Sequence, residues 1–252
     1  MKIKVLQFKP ILGEVERNIK TVKEMMFNAV AESPDVIVLP ELWSTGFYPE
    51  PIENFADKNG QNTCELLSAI SKKYKINIVG GTTIVENDGQ FYNRCFVFNR
   101  YGENIATYDK IHLFSMSGED KVFTRGKNIP IFEIDGIKSS VAVCYDVRFP
   151  ELIRKAALND ISILFLPAAW PLKRLSHWQI LTRARAIENQ IFIVAVNTAG
   201  HSAIIDPWGE VLAETEIGTE ILDFDINFNV RADIKRRMAV FDDQRDFEIK
   251  TC

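Results

Sequence analysis

Three short, almost wholly apolar runs constrain the fold most strongly: Val36–Leu39, Ile161–Leu166 and Ile191–Val196. Such runs are typical of strands covered on both faces. Elsewhere apolar residues recur at helical spacing, as in residues 15–29, and Asn87–Gly89 predicts a hairpin turn. Because helices alternate with strands while hairpins intervene, we expect mixed sheets with helices stacked on them.

Length and charge narrow the class of protein. The 252 residues contain no repeat, linker or low-complexity segment, so we expect a single domain over residues 1–252. A net charge of −4 provides no basic surface, which argues against a nucleic-acid partner. The start, Met1–Phe8, alternates like a first strand and not like a signal peptide. No run is long enough for a membrane span.

The four cysteines are widely spaced and form no Cys-x-x-Cys pair. This spacing argues against a zinc knuckle and against a disulfide framework. A reducing cytoplasm is the simplest location to expect. The cysteines are Cys64, Cys95, Cys144 and Cys252.

A corner between a strand and a helix contains the first candidate for catalysis. Cys144 follows the apolar run Val141–Val143, and Phe149–Glu151 has the proline and acid typical of a helix start. A thiol at such a corner fits a nucleophile, with the amide of Tyr145 as a donor to the oxyanion. A free cysteine is also commonly a small buried hydrophobic residue, and this stretch alone leaves that alternative open.

Two further ionisable residues occupy corresponding positions after strand-like runs. Glu41 follows Val36–Pro40, and Lys110 follows Ile105–Tyr108. We expect both side chains to converge with the thiol on one rim of a sheet. Taken separately, the glutamate could be a cap and the lysine an ordinary surface residue.

Together the three side chains suffice for acyl transfer. A thiol enzyme needs a base that takes the thiol proton and later supplies it to the leaving amine. It also needs positive charge and N–H donors where the oxyanion develops. Glu41 can act as the base, and Lys110 can supply the charge.

The motifs that contain these residues resemble, in the same order, the three catalytic motifs of the nitrilase superfamily of carbon–nitrogen hydrolases. They are Leu39–Trp43, Tyr108–Phe114 and Cys144–Glu151, and the likeness extends from about Lys4 to Phe241. The resemblance implies an α/β fold of four layers, an αββα sandwich with mixed β-sheets, usually paired into a homodimer.

The resemblance also implies roles for individual residues. Glu41 would be the general base, Lys110 the oxyanion stabiliser and Cys144 the nucleophile that forms a thioester. Glu119 matches a second glutamate of the family's site and would support the lysine and the substrate. The implied partner is a small-molecule amide. No metal or organic cofactor is implied, and the histidines lack ligand spacing.

Two segments, Ala169–Trp178 and Arg183–Gln190, are similar to bacterial ω-amidases, which hydrolyse 2-oxoglutaramate or 2-oxosuccinamate to the dicarboxylate and ammonia. Such a substrate has an anionic 2-oxo acid end, so the pocket needs a cation. Arg174 is the candidate, because a guanidinium binds a carboxylate in a bidentate fork, although it could equally be a surface residue. The aromatic candidates for the pocket wall are Trp170, Phe47 and Tyr48. Aromatic residues more often simply pack.

One connection departs from the family's pattern. Only three residues separate Asn197 from His201, where relatives usually have a longer polar loop near the pocket. Either the chain is short here or a stretch is absent from the sequence, so this side of the site gives no guide to the substrate.

Several other functions stay open. An N-carbamoyl amino acid hydrolase, an aliphatic amidase or a nitrilase would keep the same three residues. A catalytically silent scaffold or a redox sensor at Cys144 is a further alternative. A serine α/β-hydrolase is disfavoured, because Gly200–Ile204 misses the last glycine of the Gly-x-Ser-x-Gly elbow.

Overall fold

A computed structural model describes residues 1–245, and residues 246–252, including Cys252, lie outside the described part. The prediction of one domain over residues 1–252 therefore stays a prediction. The helices are α1 Val15–Val30, α2 Gln61–Tyr74, α3 Glu119–Val122, α4 Pro150–Ala157, α5 Leu175–Asn189 and α6 Asn229–Arg237. The strands are β1 Lys2–Gln7, β2 Val36–Val38, β3 Asp57–Lys58, β4 Asn77–Val79, β5 Thr83–Asn87, β6 Gln90–Phe98, β7 Asn104–Asp109, β8 Ile131–Ile134, β9 Ile137–Val141, β10 Ile163–Ala168, β11 Phe192–Asn197, β12 Ala203–Ile205, β13 Val211–Glu214 and β14 Glu220–Asp225.

The strands form two mixed sheets. The first has the order β14-β1-β2-β4-β6-β5-β3, with β7 also paired to β6, and the second has the order β13-β12-β11-β10-β9-β8. Strands β1, β2 and β4 are parallel, as are β9, β10 and β11, and antiparallel hairpins extend both groups. The prediction of mixed sheets is confirmed.

Strand β2 shows why an uninterrupted apolar run is needed here. Val36 and Val38 pack into the core between the two sheets. Ile37 and Leu39 point the other way and pack with residues of α1 and α2. Since successive side chains of a strand point to opposite faces, both faces of this sheet are covered.

The second sheet is covered in the same way by α4 and α5. Ile153 of α4 and Trp178 and Ala186 of α5 belong to the same apolar cluster as the strands β10 and β11. The layers therefore run helix, sheet, sheet, helix, which confirms the predicted αββα sandwich. Within residues 1–245, no helix has both the length and the apolar character needed to cross a membrane.

The strand before the nucleophile corner is shorter than its apolar run suggests. The sequence predicts a strand through Val143, but β9 ends at Val141. The reason is that the N–H of Val143 donates to the Asp146 carboxylate at 2.8 Å instead of to a neighbouring strand. A local side-chain bond thus replaces the sheet ladder just before Cys144.

Candidate active site

Cys144 lies where the chain leaves β9 and enters a short 3₁₀ turn, Cys144–Arg148. Its φ of 47° falls in the left-handed region, which residues other than glycine rarely adopt. Strained backbone of this kind concentrates at functional sites, where surrounding contacts hold it. The amide of Tyr145 falls in the first turn of the segment, where N–H groups lack an intrahelical acceptor.

Glu41 follows β2 and is fully buried. The loop that carries it packs closely against Gly81, where a Cβ atom would lie 2.0 Å from the carbonyl oxygen of Pro40. Glycine is therefore required at position 81. The N–H of Ala169, just beyond β10 of the second sheet, donates to Glu41 Oε2 at 2.8 Å. Both sheets thus hold this carboxylate.

Lys110 follows β7 and lies between two carboxylates. Its Nζ donates to Glu41 Oε1 at 2.7 Å and to both carboxylate oxygens of Glu119 at 2.9 Å. All three side chains are fully buried. Burial alone would lower the pKa of Lys110, but the charges of Glu41 and Glu119 outweigh burial and raise it. The lysine is therefore an ammonium at neutral pH.

Two more donors complete this buried cluster. The N–H of Phe114 donates to Glu119 Oε2 at 2.6 Å. Asn93, on β6, donates from Nδ2 to Glu41 Oε1 at 2.9 Å and to Glu119 Oε1 at 3.0 Å. Its Oδ1 is buried and has no hydrogen-bond partner within the described residues. Asn93 thus supplies donors to two carboxylates that share one lysine.

The thiol of Cys144 lies beside this cluster and is protonated at rest. Burial raises the pKa of Cys144 well above its ordinary value, and the negative charge of Glu41 raises it further, although Lys110 opposes this. The reactive thiolate consequently forms only when a base removes the proton. Glu41 is the carboxylate placed to do so.

A cavity of about 220 Å³ opens above the thiol. It gives a small molecule access to Cys144 and Lys110 at its base. The lining residues are Phe47, Lys110, Phe114, Cys144, Tyr145, Arg148, Ala169, Trp170, Pro171, Lys173 and Arg174. The structure therefore brings the predicted residues Phe47, Trp170 and Arg174 together around the thiol.

Tyr48 requires a correction, because it does not line this cavity. Its hydroxyl donates to the carbonyl of Ser117, and its ring packs edge-on against Phe123 at 5.6 Å. Its ring also lies 5.0 Å from that of Phe47. Tyr48 thus packs behind the pocket wall and not in it.

Two cations of the cavity were not predicted, Arg148 and Lys173. The guanidinium of Arg148 stacks 4.7 Å from the ring of Trp170, and that of Arg174 lies 4.9 Å from the ring of Phe114. No ion pair within residues 1–245 involves any of these three cations. The mouth of the cavity is therefore positively charged and suited to an anionic group. Arg148 could have been found from its place in the motif that contains Cys144.

The short connection that follows β11 is held in place by the side chain of Asn197. Asn197 Nδ2 donates to the carbonyls of Gly200 at 2.8 Å and Trp170 at 3.2 Å. The N–H of Trp170 donates in return to Asn197 Oδ1 at 2.7 Å. The connection thereby fixes one wall of the cavity.

No metal centre is assembled in the part of the chain that the structure describes. No three or more His, Cys, Asp or Glu side chains are grouped there so that they could hold an ion. The expectation of an enzyme without metal or cofactor stays a prediction.

Comparison with known proteins gives one family for this fold and site. The family model described as carbon-nitrogen hydrolase matches residues 2–236. The chain is 40% identical to the 2-oxoglutaramate amidase of Bacillus subtilis, over 96% of this chain and 97% of that protein. It is 30% identical to the human omega-amidase NIT2, over 86% of this chain and 85% of the relative.

A solved structure supports the same family assignment. A CN-hydrolase superfamily protein from Xanthomonas campestris superposes with a TM-score of 0.91 at 25% identity, over 99% of both chains. These matches confirm the resemblance predicted from the three motifs.

The charge of Glu41 can be tested through the thiol that it faces. Removing the charge in Glu41→Gln should lower the pKa of Cys144, because a neighbouring like charge no longer opposes the thiolate. The rate of alkylation by iodoacetamide, measured from pH 6 to pH 10, should then be higher than in the wild type at each pH, because a larger fraction of the thiol is thiolate.

Two variants control this measurement. Glu119→Gln should raise the rate less, because Glu119 contacts Lys110 and not the thiol. Cys144→Ala gives the background from the three other cysteines, among them Cys64, whose pKa burial and Asp57 raise to about 11. An unchanged or lower alkylation rate in Glu41→Gln would contradict the arrangement.

Proposed function

The chain belongs to the carbon–nitrogen hydrolase family, and from this premise we propose that it is an ω-amidase. Its substrate would be 2-oxoglutaramate or 2-oxosuccinamate, which it would hydrolyse to the 2-oxo dicarboxylate and ammonia. One observation carries this proposal. The buried set of Glu41, Lys110 and Cys144 opens into a cavity whose mouth has three cations without an ion-pair partner in the described residues.

The geometry supports acylation by the following steps. Glu41 takes the proton of Cys144, and the thiolate attacks the amide carbon. The Lys110 ammonium and the Tyr145 N–H hold the oxyanion, and each such donor typically contributes about 3–4 kcal/mol. Glu41 then gives its proton to the leaving nitrogen as the C–N bond breaks, which releases ammonia and leaves a thioester.

Hydrolysis of the thioester uses the same groups. Glu41, again a carboxylate, removes a proton from water, and the hydroxide attacks the thioester carbon. The oxyanion returns to Lys110 and the Tyr145 amide. The C–S bond breaks, the thiolate recovers its proton from Glu41, and the acid leaves. Glu119 holds Lys110 in place throughout and keeps it charged.

The size and charge of the cavity support the choice of substrate. A volume of about 220 Å³ suits a short-chain amide. Arg174 and Arg148 each present a guanidinium beside an aromatic ring, which matches the carboxylate of a 2-oxo acid. The amidase from Bacillus subtilis, at 40% identity, acts on 2-oxoglutaramate by its name.

Ammonia release tests the reaction and its nucleophile together. Wild type should release ammonia from 2-oxoglutaramate, and Cys144→Ala should lose at least about 1000-fold in kcat, as nucleophile removal does in acyl-transfer enzymes. The assay should be run at neutral and alkaline pH, because the open-chain substrate cyclises.

Cys64→Ala serves as the matched control and should keep wild-type activity. If wild type releases no ammonia while Cys144 is still alkylated, carbamoyl amino acids and nitriles become the substrates to test. A wild-type thiol that is also inert would favour the catalytically silent scaffold.

The role of Arg174 predicts a selective loss. Arg174→Met removes a charged partner of the substrate carboxylate, so kcat/KM for 2-oxoglutaramate should fall about tenfold to 100-fold, since hydrogen bonds to charged groups are worth about 1.5–3 kcal/mol. Turnover of the neutral amide propionamide should change less than about threefold, because it lacks the carboxylate that this bond would hold.

Arg17→Met, at an exposed arginine of α1, should change neither rate. Equal losses for both amides in Arg174→Met would show that Arg174 does not recognise the acid group.

We also propose that the protein is a cytoplasmic homodimer. Ile180 of α5 and Val211 of β13 are exposed apolar side chains that line one groove. Ile187, also exposed on α5, lies beside Gly209 in the turn between β12 and β13. Apolar exposure of this kind marks interaction surfaces. The unpaired cysteines of the described residues are compatible with a reducing compartment, and cell fractionation tests the location.

Light scattering after size exclusion tests the pairing. Ile180→Glu should yield a monomer, because the interface would bury an unpaired charge. Phe27→Glu, at an equally exposed apolar residue on α1 of the opposite outer layer, should stay dimeric. A wild-type monomer would refute the pairing.

A further inference from the structure

Asp146, two residues after the nucleophile, is fully buried, and its carboxylate accepts hydrogen bonds from three residues. The Tyr108 hydroxyl at 2.7 Å and the Val143 N–H at 2.8 Å reach Oδ2. The His112 N–H at 2.9 Å and the His112 Nδ1 at 2.8 Å reach Oδ1. Both carboxylate oxygens are therefore fully used inside the protein, and neither faces the cavity.

The donors belong to two chain segments that carry different parts of the site. Tyr108 and His112 flank Lys110 on the segment that leaves β7 of the first sheet. Val143 directly precedes Cys144 on the segment that leaves β9 of the second sheet. Asp146 consequently joins the lysine segment to the nucleophile segment across the boundary between the sheets.

One further contact supports this junction, and the protonation of Tyr108 preserves it. The ring of His112 stacks on that of Phe149, with centroids 3.6 Å apart and planes 7° apart. Burial and the Asp146 carboxylate raise the pKa of Tyr108 well above its ordinary value, so its hydroxyl stays a donor at any working pH. The junction therefore does not loosen when Tyr108 would otherwise ionise.

We propose that Asp146 is a positioning residue that fixes the Lys110 ammonium relative to the Cys144 thiol. The inference rests on the proposed roles of Lys110 and Cys144 in acyl transfer. Oxyanion stabilisation depends on donors placed within a few tenths of an ångström, and a displacement of about 1 Å can cost about 100-fold in rate. Asp146 touches neither substrate nor thiol, so it acts through the geometry of the other two.

Two reagents separate positioning from plain structural support. p-Nitrophenyl acetate acylates a thiol through a tetrahedral oxyanion, which Lys110 would stabilise. Iodoacetamide alkylates the same thiol by direct displacement at carbon, and no oxyanion forms. The ratio of the two rate constants therefore reports the placement of Lys110, whatever the natural substrate is.

Asp146→Asn is the first variant. It keeps the shape of the side chain but replaces one carboxylate oxygen with an NH2 group, which then faces hydrogen-bond donors instead of accepting from them. We expect acylation by p-nitrophenyl acetate to fall about 30-fold or more, as for misplaced oxyanion donors, and alkylation to fall less than about threefold. With 2-oxoglutaramate, kcat should fall in parallel with acylation while KM changes less than about threefold.

Asp109→Asn is the matched control. Asp109 lies on the same segment and pairs with Arg94 at 2.6 Å and 2.9 Å, but it has no bond to the nucleophile segment. It should leave the ratio of acylation to alkylation unchanged. Tyr108→Phe, which removes a single donor and should fold if Asp146→Asn does not, should lower the ratio about threefold to tenfold.

The outcomes are distinct. A normal ratio in Asp146→Asn, or in Tyr108→Phe if the first variant does not fold, overturns the inference. Acylation and alkylation that fall together overturn it as well, because the nucleophile itself would then be misplaced. A wild type that is acylated normally but releases no ammonia from 2-oxoglutaramate refutes the proposed substrate and leaves the ratio as the test of Asp146.

Discussion

The site depends on one buried charge cluster, in which the ammonium of Lys110 lies between the carboxylates of Glu41 and Glu119. Taking three charges out of water is costly, and the attraction between them repays that cost only when the remaining hydrogen-bonding atoms are satisfied. Asn93 and the N–H groups of Phe114 and Ala169 supply those bonds. Because Ala169 directly follows β10 of the second sheet and Asn93 belongs to the first, the cluster can form only when the two sheets are packed together.

The cluster also explains how a neutral thiol can be used in a buried site. At rest, two carboxylates, one ammonium and a protonated Cys144 carry a net charge of −1. When the thiol proton has moved to Glu41 and the oxyanion has formed, Lys110 faces Glu119 and the oxyanion, and the net charge is again −1. In the proposed mechanism charge is therefore only rearranged, which avoids the large penalty of creating a new charge in a low dielectric. The raised pKa of the Cys144 thiol fits this scheme.

The sequence predicted the layers and the three central residues for a physical reason. Glu41, Lys110 and Cys144 each follow a strand, and the ends of strands lie at the edge of a sheet. The expectation that they share one rim of a single sheet was wrong, because β2 and β7 belong to the first sheet and β9 to the second, so the three side chains meet across the boundary between the sheets. Asn93 was missed because it lies inside β6, where neighbouring positions look alike and only the strand register decides which side chain meets the cluster. Tyr48 was misplaced because an aromatic residue near a site can face the pocket or pack behind it, and only the packing of Phe123 decides which.

The end of β9 shows why element boundaries were harder to predict than the elements themselves. Apolar, β-branched residues continue to Val143 and favour a strand to that point, but the strand stops at Val141. Two local features end the strand early. The Val143 N–H donates to the Asp146 carboxylate instead of to a neighbouring strand, and Cys144 has a left-handed backbone conformation that no strand ladder allows. Local propensity is overridden at the residue that would perform the chemistry, which is where such conflicts concentrate. The aspartate that ends the strand is also the residue that ties the nucleophile to the lysine, so the local break in the sheet and the geometry of the site have one cause.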